Sequence, residues 1–237
     1  VLEMITEFSS ADSLMIPSVG PFYGAMMDQA KILKHYDFPT VMILPTRDMT
    51  TSIGIANGIR RFVDYFGKPV VLYIKNDGYI GINEASTLME EGLLSFIKYA
   101  IVRKDPSQDP FLEELVKNLG NDRIVSGMGE QPVPIHKIKF DLKSFTSGCV
   151  CIAPGLSTKM LKALQKEDMS RVESIRRKFE VLEELRNEIN PVRVLHAAVK
   201  MTNLAETGPL QPMINEISGS EAARVEKAVS YTHLRAH

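Results

Sequence analysis

VVLYIKNDGYIGINEASTLMEEGLLSFIKYAIV, residues 70–102, holds the pattern that decides the fold. Val70-Val-Leu-Tyr-Ile74 is a short, largely β-branched apolar run, and Phe96-Ile-Lys-Tyr-Ala-Ile-Val102 is a second. Between them, Asn83 to Leu94 carries helical spacing. A strand that is apolar on both faces is buried on both faces, and a helix joining two such strands makes their pairing parallel. The same unit repeats outward in both directions. Upstream lie a helix from Thr51 to Phe66, capped by Gly67 and stopped by Pro69, a strand from Thr40 to Leu44 closed by Pro45, a helix from Phe22 to His35 and a strand from Leu14 to Gly20. Downstream lie a helix from Pro110 to Leu119 with Gly120 at its end, a strand from Arg123 to Ser126, a short helix within Pro132 to Leu142 and a last strand from Phe145 to Ala153.

The sequence therefore predicts six strands, each followed by a helix, in one α/β domain without a long Gly/Pro linker. A barrel and a doubly wound sheet both fit this alternation. No Gly-x-Gly-x-x-Gly follows the first strand. At Gly127-Met-Gly129 the third glycine of that fingerprint is replaced by Pro132, which argues against dinucleotide binding.

After Leu156 the pattern changes to helices alone. Ser170 to Glu188 surrounds an apolar stripe of Val172, Ile175, Phe179, Leu182 and Leu185 with Arg171, Glu173, Arg176, Arg177, Lys178, Glu180, Glu183, Glu184 and Arg186. This reads as a solvated amphipathic helix packed on one face, its charges a surface and not a binding patch. Asn190-Pro191 opens a further helix through Thr202.

Composition narrows the function classes. The chain has 237 residues, 44% apolar and 24% charged, with a formal net charge of −1. No basic surplus points to nucleic acid, and no apolar stretch approaches the roughly 20 residues of a membrane span. Cys149 and Cys151 read as small core residues, too close together for an ordinary disulfide and too few for a structural zinc site, so a cytoplasmic location is expected. No metal site is predicted. Val229 to His237 reads as a non-native tail, similar to a translated sequencing adapter, after a helix ending near Ala228.

Two polar residues stand where a buried strand should have none. Lys98 lies inside the second run quoted above, and a desolvated lysine favours its neutral amine, a nucleophile toward ketones. An edge-strand lysine reaching solvent is the bland alternative. Tyr73 lies near the end of the preceding strand, where a phenol can relay a proton, or where an interior aromatic simply satisfies its hydroxyl. They fall on consecutive strands, each near the C-terminal end, so a barrel would bring both into one mouth.

These residues carry a resemblance. Leu72-Tyr73, then Ile97-Lys98-Tyr99-Ala100 one βα unit later, then Ser126-Gly127, then Gly148-Cys-Val-Cys-Ile-Ala-Pro154, with Asn190-Pro191-Val192 and Gly208-Pro209-Leu210 in the helical tail, together resemble the dihydrodipicolinate synthase and N-acetylneuraminate lyase family. The resemblance implies a TIM (β/α)8 barrel lacking about its first two strands. Residues 1–155 would be a partial barrel of strands three to eight, 156–228 a C-terminal helical extension and 229–237 the tail. It implies a lyase whose Lys98 forms a Schiff base with a 2-keto acid, with Tyr73 as the second catalytic residue and Arg47, Thr46, Ser126, Gly127 and Val150 at the substrate. No further cofactor is implied; the expected partners are a keto-acid substrate and further copies in a homodimer or homotetramer, with neither nucleic acid nor membrane. The family's Thr-Thr-Gly-Glu segment would precede Val1, so the 237 residues alone are expected to be poorly stable and inactive.

The sequence departs from the family at the substrate end. The family arginine five residues after the tyrosine is Gly78 here, and a Pro-Tyr-Tyr run is replaced by Pro45-Thr46-Arg47. Arg47 then becomes the candidate to hold a substrate carboxylate. Arg103 and Lys104 are further candidates to face the mouth, and Glu130 is either polar lining or a loop-exposed acid. These changes point away from lysine-pathway synthesis and toward aldol cleavage or dehydration of a sugar-derived or other keto acid. The alternative is a degenerate family member that keeps the barrel as a ligand-binding module.

Overall fold

The computed structural model describes residues 2–10, 12–46, 49–210 and 212–234. The chain divides into two compact units, Val1–Val125 and Ser126–His237.

In the first unit, α1 (Leu2–Phe8) precedes a run of alternating strands and helices: β1 (Ser18–Val19), α2 (Tyr23–Leu33), β2 (Met42–Ile43), α3 (Ser52–Phe66), β3 (Val70–Ile74), α4 (Ile82–Glu90), β4 (Leu94–Tyr99), α5 (Pro110–Leu119) and, after a 3-10 turn at Asn121–Arg123, β5 (Ile124–Ser126). The sheet order is β1-β2-β3-β4-β5, and β1 to β4 pair parallel. Sequential helices also pack on one another, α2 on α3, α3 on α4 and α4 on α5. A doubly wound sheet reverses its strand order and sends helices to both faces. A sheet that winds on in sequence, with its helices side by side, has the winding of a barrel. The structure thus decides what alternation alone left open.

Local chemistry fixes these elements where the sequence predicts them. Thr51 Oγ1 accepts from the Gly54 N–H at 3.1 Å to start α3, and Gly67, at φ 85°, donates its N–H to Val63 at 2.7 Å to end it. Between the caps Ile55, Ala56, Ile59, Phe62, Val63 and Phe66 form one buried stripe, each large member contributing about 1.5–3 kcal/mol by leaving water. Asp109 caps α5 through the Leu112 N–H, with Pro110 in the first turn. In β3, Val70, Val71, Leu72 and Ile74 are all buried, as a parallel strand covered on both faces requires. Strands β1 and β2 are shorter than predicted. Only Ser18–Val19 of the run from Leu14, and Met42–Ile43 of the run from Thr40, are paired.

The second unit holds α6 (Val133–Phe140), a 3-10 turn (Cys149–Cys151), α7 (Pro154–Gln165), α8 (Met169–Glu188), α9 (Pro191–Met201) and α10 (Gly219–Leu234). Helix α8 packs on α6, α7, α9 and α10, and the predicted stripe of Val172, Ile175, Phe179, Leu182 and Leu185 is the buried face. Its outer face is held by pairs one turn apart, Arg176 with Glu173 at 2.8 Å and with Glu180 at 2.9 Å.

Three expectations are corrected here. The predicted last strand, Phe145 to Ala153, is a single parallel bridge between Phe145 and Ser126 followed by the 3-10 turn. Its buried residues are Cys149, Ile152 and Ala153, with Val150 and Cys151 exposed, which is helical rather than period-two spacing. Glu183 does not share the solvated face of its neighbours: it is 1% exposed. The helix expected to end near Ala228 continues to Leu234. Val225, Ala228, Val229 and Thr232 share one buried face, and the Thr232 hydroxyl donates to the Lys178 carbonyl at 2.9 Å. The first residues of the presumed tail therefore belong to the packed helix.

Candidate active site

Tyr73 and Lys98 are register partners across β3 and β4. A register shift at Val70/Val71 precedes them, so that Val71 pairs with Phe96, Leu72 with Ile97 and Ile74 with Tyr99. Side chains alternate along a strand, and here the alternation separates two roles. Lys98 and Tyr73 are half-buried on one face, with the Lys98 Nζ 4.4 Å from the centroid of the Tyr73 ring. Tyr99, the next residue, turns to the opposite face and is fully buried. The amine thus lies close to the phenol-bearing ring. A lysine over an aromatic face is held by the ring quadrupole, worth about 0.5–1 kcal/mol at a partly exposed site.

What anchors that strand end was missed in the sequence. The Tyr99 hydroxyl donates to Asp109, which also accepts from Arg103 Nη2 at 3.0 Å. Arg103 forks onto Asp77, in the loop after β3, at 2.6 and 2.8 Å. The loops after β3 and β4 are therefore tied together just beyond Lys98. Burial, then the hydrogen bond to Asp109, pushes the Tyr99 phenol far up, while Arg103 holds the Asp77 carboxyl below its usual range. Arg103, considered from the sequence as a residue facing the mouth, is committed to these two aspartates; Lys104 is exposed. The only local signal was Asp109-Pro110, legible as a helix start and not as a charge partner.

The other predicted residues fall into separate places. Arg47 lies outside the described residues. Thr46 lines a cavity of about 610 Å³ with Phe22, Tyr23, Met26, Ile55 and Tyr79, and neither Tyr73 nor Lys98 is among its walls. Burial in that wall pushes the Tyr79 phenol up to about 12. In the second unit, Ser126 is buried with its Oγ 2.9 Å from His136 Nδ1, and Gly127 follows it, half-buried. Val150 sits in the 3-10 turn, not on a strand, with its N–H 3.2 Å from the Ser147 Oγ.

A second polar cluster was also missed. Glu130, weighed above as mouth lining or a loop acid, is fully buried. Its Oε1 accepts from the Ser157 hydroxyl at 2.7 Å and its Oε2 from the Ser147 hydroxyl at 2.6 Å. Glu183 accepts the backbone N–H groups of Glu130 and Gln131 at 2.9 and 2.7 Å. Gly129 makes this approach feasible. Its φ is +100°, and a Cβ there would stand 1.8 Å from Glu183 Oε1. Among the described residues no group of three or more His, Cys, Asp and Glu side chains could hold a metal ion, and no helix is long and apolar enough to cross a membrane.

No family model matches the sequence, and no curated protein does. Solved structures do match. A dihydrodipicolinate synthase from Bacillus clausii superposes with a TM-score of 0.84 over 97% of this chain and 77% of its own, at 23% identity. A dihydrodipicolinate synthase from Oceanobacillus iheyensis gives 0.85 over 97% and 76%, at 20% identity. The sialic acid aldolase of Ruminococcus gnavus gives 0.82 over 100% and 79%, at 15% identity. The fold is therefore the α/β barrel type that the resemblance implied, followed by helices.

Proposed function

We propose that the chain belongs to a Schiff-base lyase acting on a 2-keto acid, with Lys98 as the nucleophile and Tyr73 as its proton-moving partner. The observation that carries this reading is the placement of the Lys98 amine 4.4 Å from the Tyr73 ring, in register on adjacent strands of a fold shared with dihydrodipicolinate synthases and a sialic acid aldolase. The neutral amine adds to the keto carbon, and loss of water gives a protonated imine. Cleavage of a carbon–carbon bond, or removal of a proton, at the adjacent carbon leaves its electron pair in an enamine. Reprotonation of that carbon, or expulsion of a hydroxide from the next one, then precedes hydrolysis, which returns the amine. Tyr73 carries the proton to and from substrate oxygen.

The substrate class follows from what is missing. With Gly78 at the family arginine position and Arg103 held by Asp77 and Asp109, the loops after β3 and β4 offer no free fork for the carboxylate of an aspartate semialdehyde. We therefore assign a sugar-derived or other keto acid, undergoing aldol cleavage or dehydration. The test is reductive trapping. Pyruvate with borohydride should give one reduced adduct on the peptide containing Lys98, and Lys98→Ala should abolish it. An unmodified Lys98 peptide at saturating pyruvate, or undiminished labelling in Lys98→Ala, defeats the assignment.

A further inference from the structure

The Glu130–Glu183 pair has no part in the chemistry above. Both carboxyls are buried, at 0% and 1% exposure, and Glu183 Oε1 accepts the Glu130 backbone N–H at 2.9 Å, so the two acids stand in one cluster out of water. Two carboxyl groups buried in one cluster resist ionising together, which favours a proton on one of them. The charged and titratable groups around them are few. Arg186, one turn further along α8, donates from Nη2 to the Met128 carbonyl at 2.8 Å, and its Nε is buried without a partner. Cys149, in the 3-10 turn, is a buried neutral thiol whose ionisation burial pushes far up. The 3-10 turn also brings Cys151, whose thiol is pushed up by burial and, to a lesser degree, by Glu130, and among the described residues α7 and the segment before that turn bring the hydroxyls of Ser157 and Ser147. On α6, His136 is bonded to Ser126. One proton on the pair plus the Arg186 guanidinium makes the cluster neutral. Loss of that proton leaves one uncompensated negative charge out of water, a costly state.

The same residues hold the backbone of the loop that runs from β5 to α6. Glu183 takes the N–H groups of Glu130 and Gln131, Arg186 takes the Met128 carbonyl, and the Gln131 side chain donates to the Glu180 carbonyl at 3.1 Å. Every one of these bonds comes from α8. We propose that the Glu130–Glu183 pair is a proton-dependent latch, in which a single proton held on the pair lets α8 clamp the Met128–Gln131 loop and its loss releases the loop.

The direction of the pH effect is fixed. Burial first, and the charge of Glu130 second, raise the Glu183 carboxyl to about 8 from an ordinary 4.5. A group that holds its proton more tightly when folded contributes stability that is complete below its unfolded value and is lost as pH rises through its folded one. The latch thus weakens between about pH 4.5 and 8, by at most about tenfold in its closing constant per pH unit. Deuterium exchange of the 128–131 peptide, corrected for intrinsic rates, tests this across pH 5 to 9 beside the urea midpoint of the whole chain. The wild type should lose protection at 128–131 before the rest of α8. Glu183→Gln cannot ionise but offers one acceptor oxygen to two backbone N–H groups, so it should lower protection at 128–131 at every pH and flatten both its pH step and that of the midpoint. Should Glu183→Gln fold poorly, Glu130→Gln leaves one carboxylate beside Arg186 and should remove the same step. An unchanged step in the variants, or loss at 128–131 only together with global unfolding, overturns the latch. No activity is read, so the result is independent of the proposed reaction.

Discussion

The molecule buries carboxyl groups in two networks and neutralises them in opposite ways. In the first unit Asp109 lies beside the Arg103 guanidinium, and the second partner of that arginine, Asp77, is 63% exposed and solvated. In the second unit the nearby Arg186 guanidinium is spent on the Met128 carbonyl, and in the latch proposed above a proton on Glu130 or Glu183 makes up the deficit. A fixed cation and a proton give the same neutral interior at mid pH, but their pH responses have opposite signs. The arginine-held network weakens toward acid, as the Asp77 carboxylate is protonated. The proton-held pair fails toward alkali.

The severest way to break this contrast is at the glycine that permits the second network. Gly129→Ala places a Cβ against Glu183 in a left-handed backbone, so Glu183 must withdraw and leave two backbone N–H groups unpaired. The expected cost is about 3 kcal/mol or more in urea unfolding. A loss under about 1 kcal/mol would show that the loop can relax and that Glu183 is not held as described. Next is the first network. Asp109→Ala uncaps α5, strips the Tyr99 hydroxyl of its acceptor and leaves Arg103 paired in charge with exposed Asp77. About 2–4 kcal/mol should be lost. Asp109→Asn retains the cap and a neutral acceptor, and should recover roughly half of it. If the two variants are equally damaging, the charge of Asp109 matters more than its hydrogen bonds.

The two networks were unequally legible. Elements whose evidence is local were read well: Thr51 and Gly67 bracket α3, Asp109-Pro110 and Gly120 bracket α5, and the stripe from Val172 to Leu185 gave the buried face of α8. The Lys98–Tyr73 pairing was legible for the same reason, since consecutive parallel strands bring their C-terminal ends together whatever the remaining chain does. The run from Phe145 to Ala153 misled because a short apolar stretch fits strand and helix periods alike. Glu183 was unreadable as a buried acid. Its neighbours on α8 are solvated charges, and its backbone partners lie 53 and 52 residues away. The nearby signal was Gly129, which had been considered only as a failed nucleotide fingerprint.

The smallest expected effect sharpens the contrast most cleanly. Asp77→Asn removes the exposed arm of the arginine-held network and leaves Asp109 on Arg103. Water and salt screen that arm, so about 0.5–1 kcal/mol should be lost at pH 7 and low ionic strength. Arg103 depresses the Asp77 carboxyl below its ordinary 3.8. A depressed group stabilises above its unfolded value and ceases to do so as pH falls through its folded one. Wild type and Asp77→Asn should therefore differ at pH 7, converge as pH falls below the ordinary 3.8 and approach one another in molar salt. The alkaline loss assigned to Glu183 should be identical in the two proteins, because Asp77 lies outside the contacts of that pair. If Asp77→Asn altered the alkaline limb as well, the two networks would be coupled, and their opposite responses could not be attributed to separate groups.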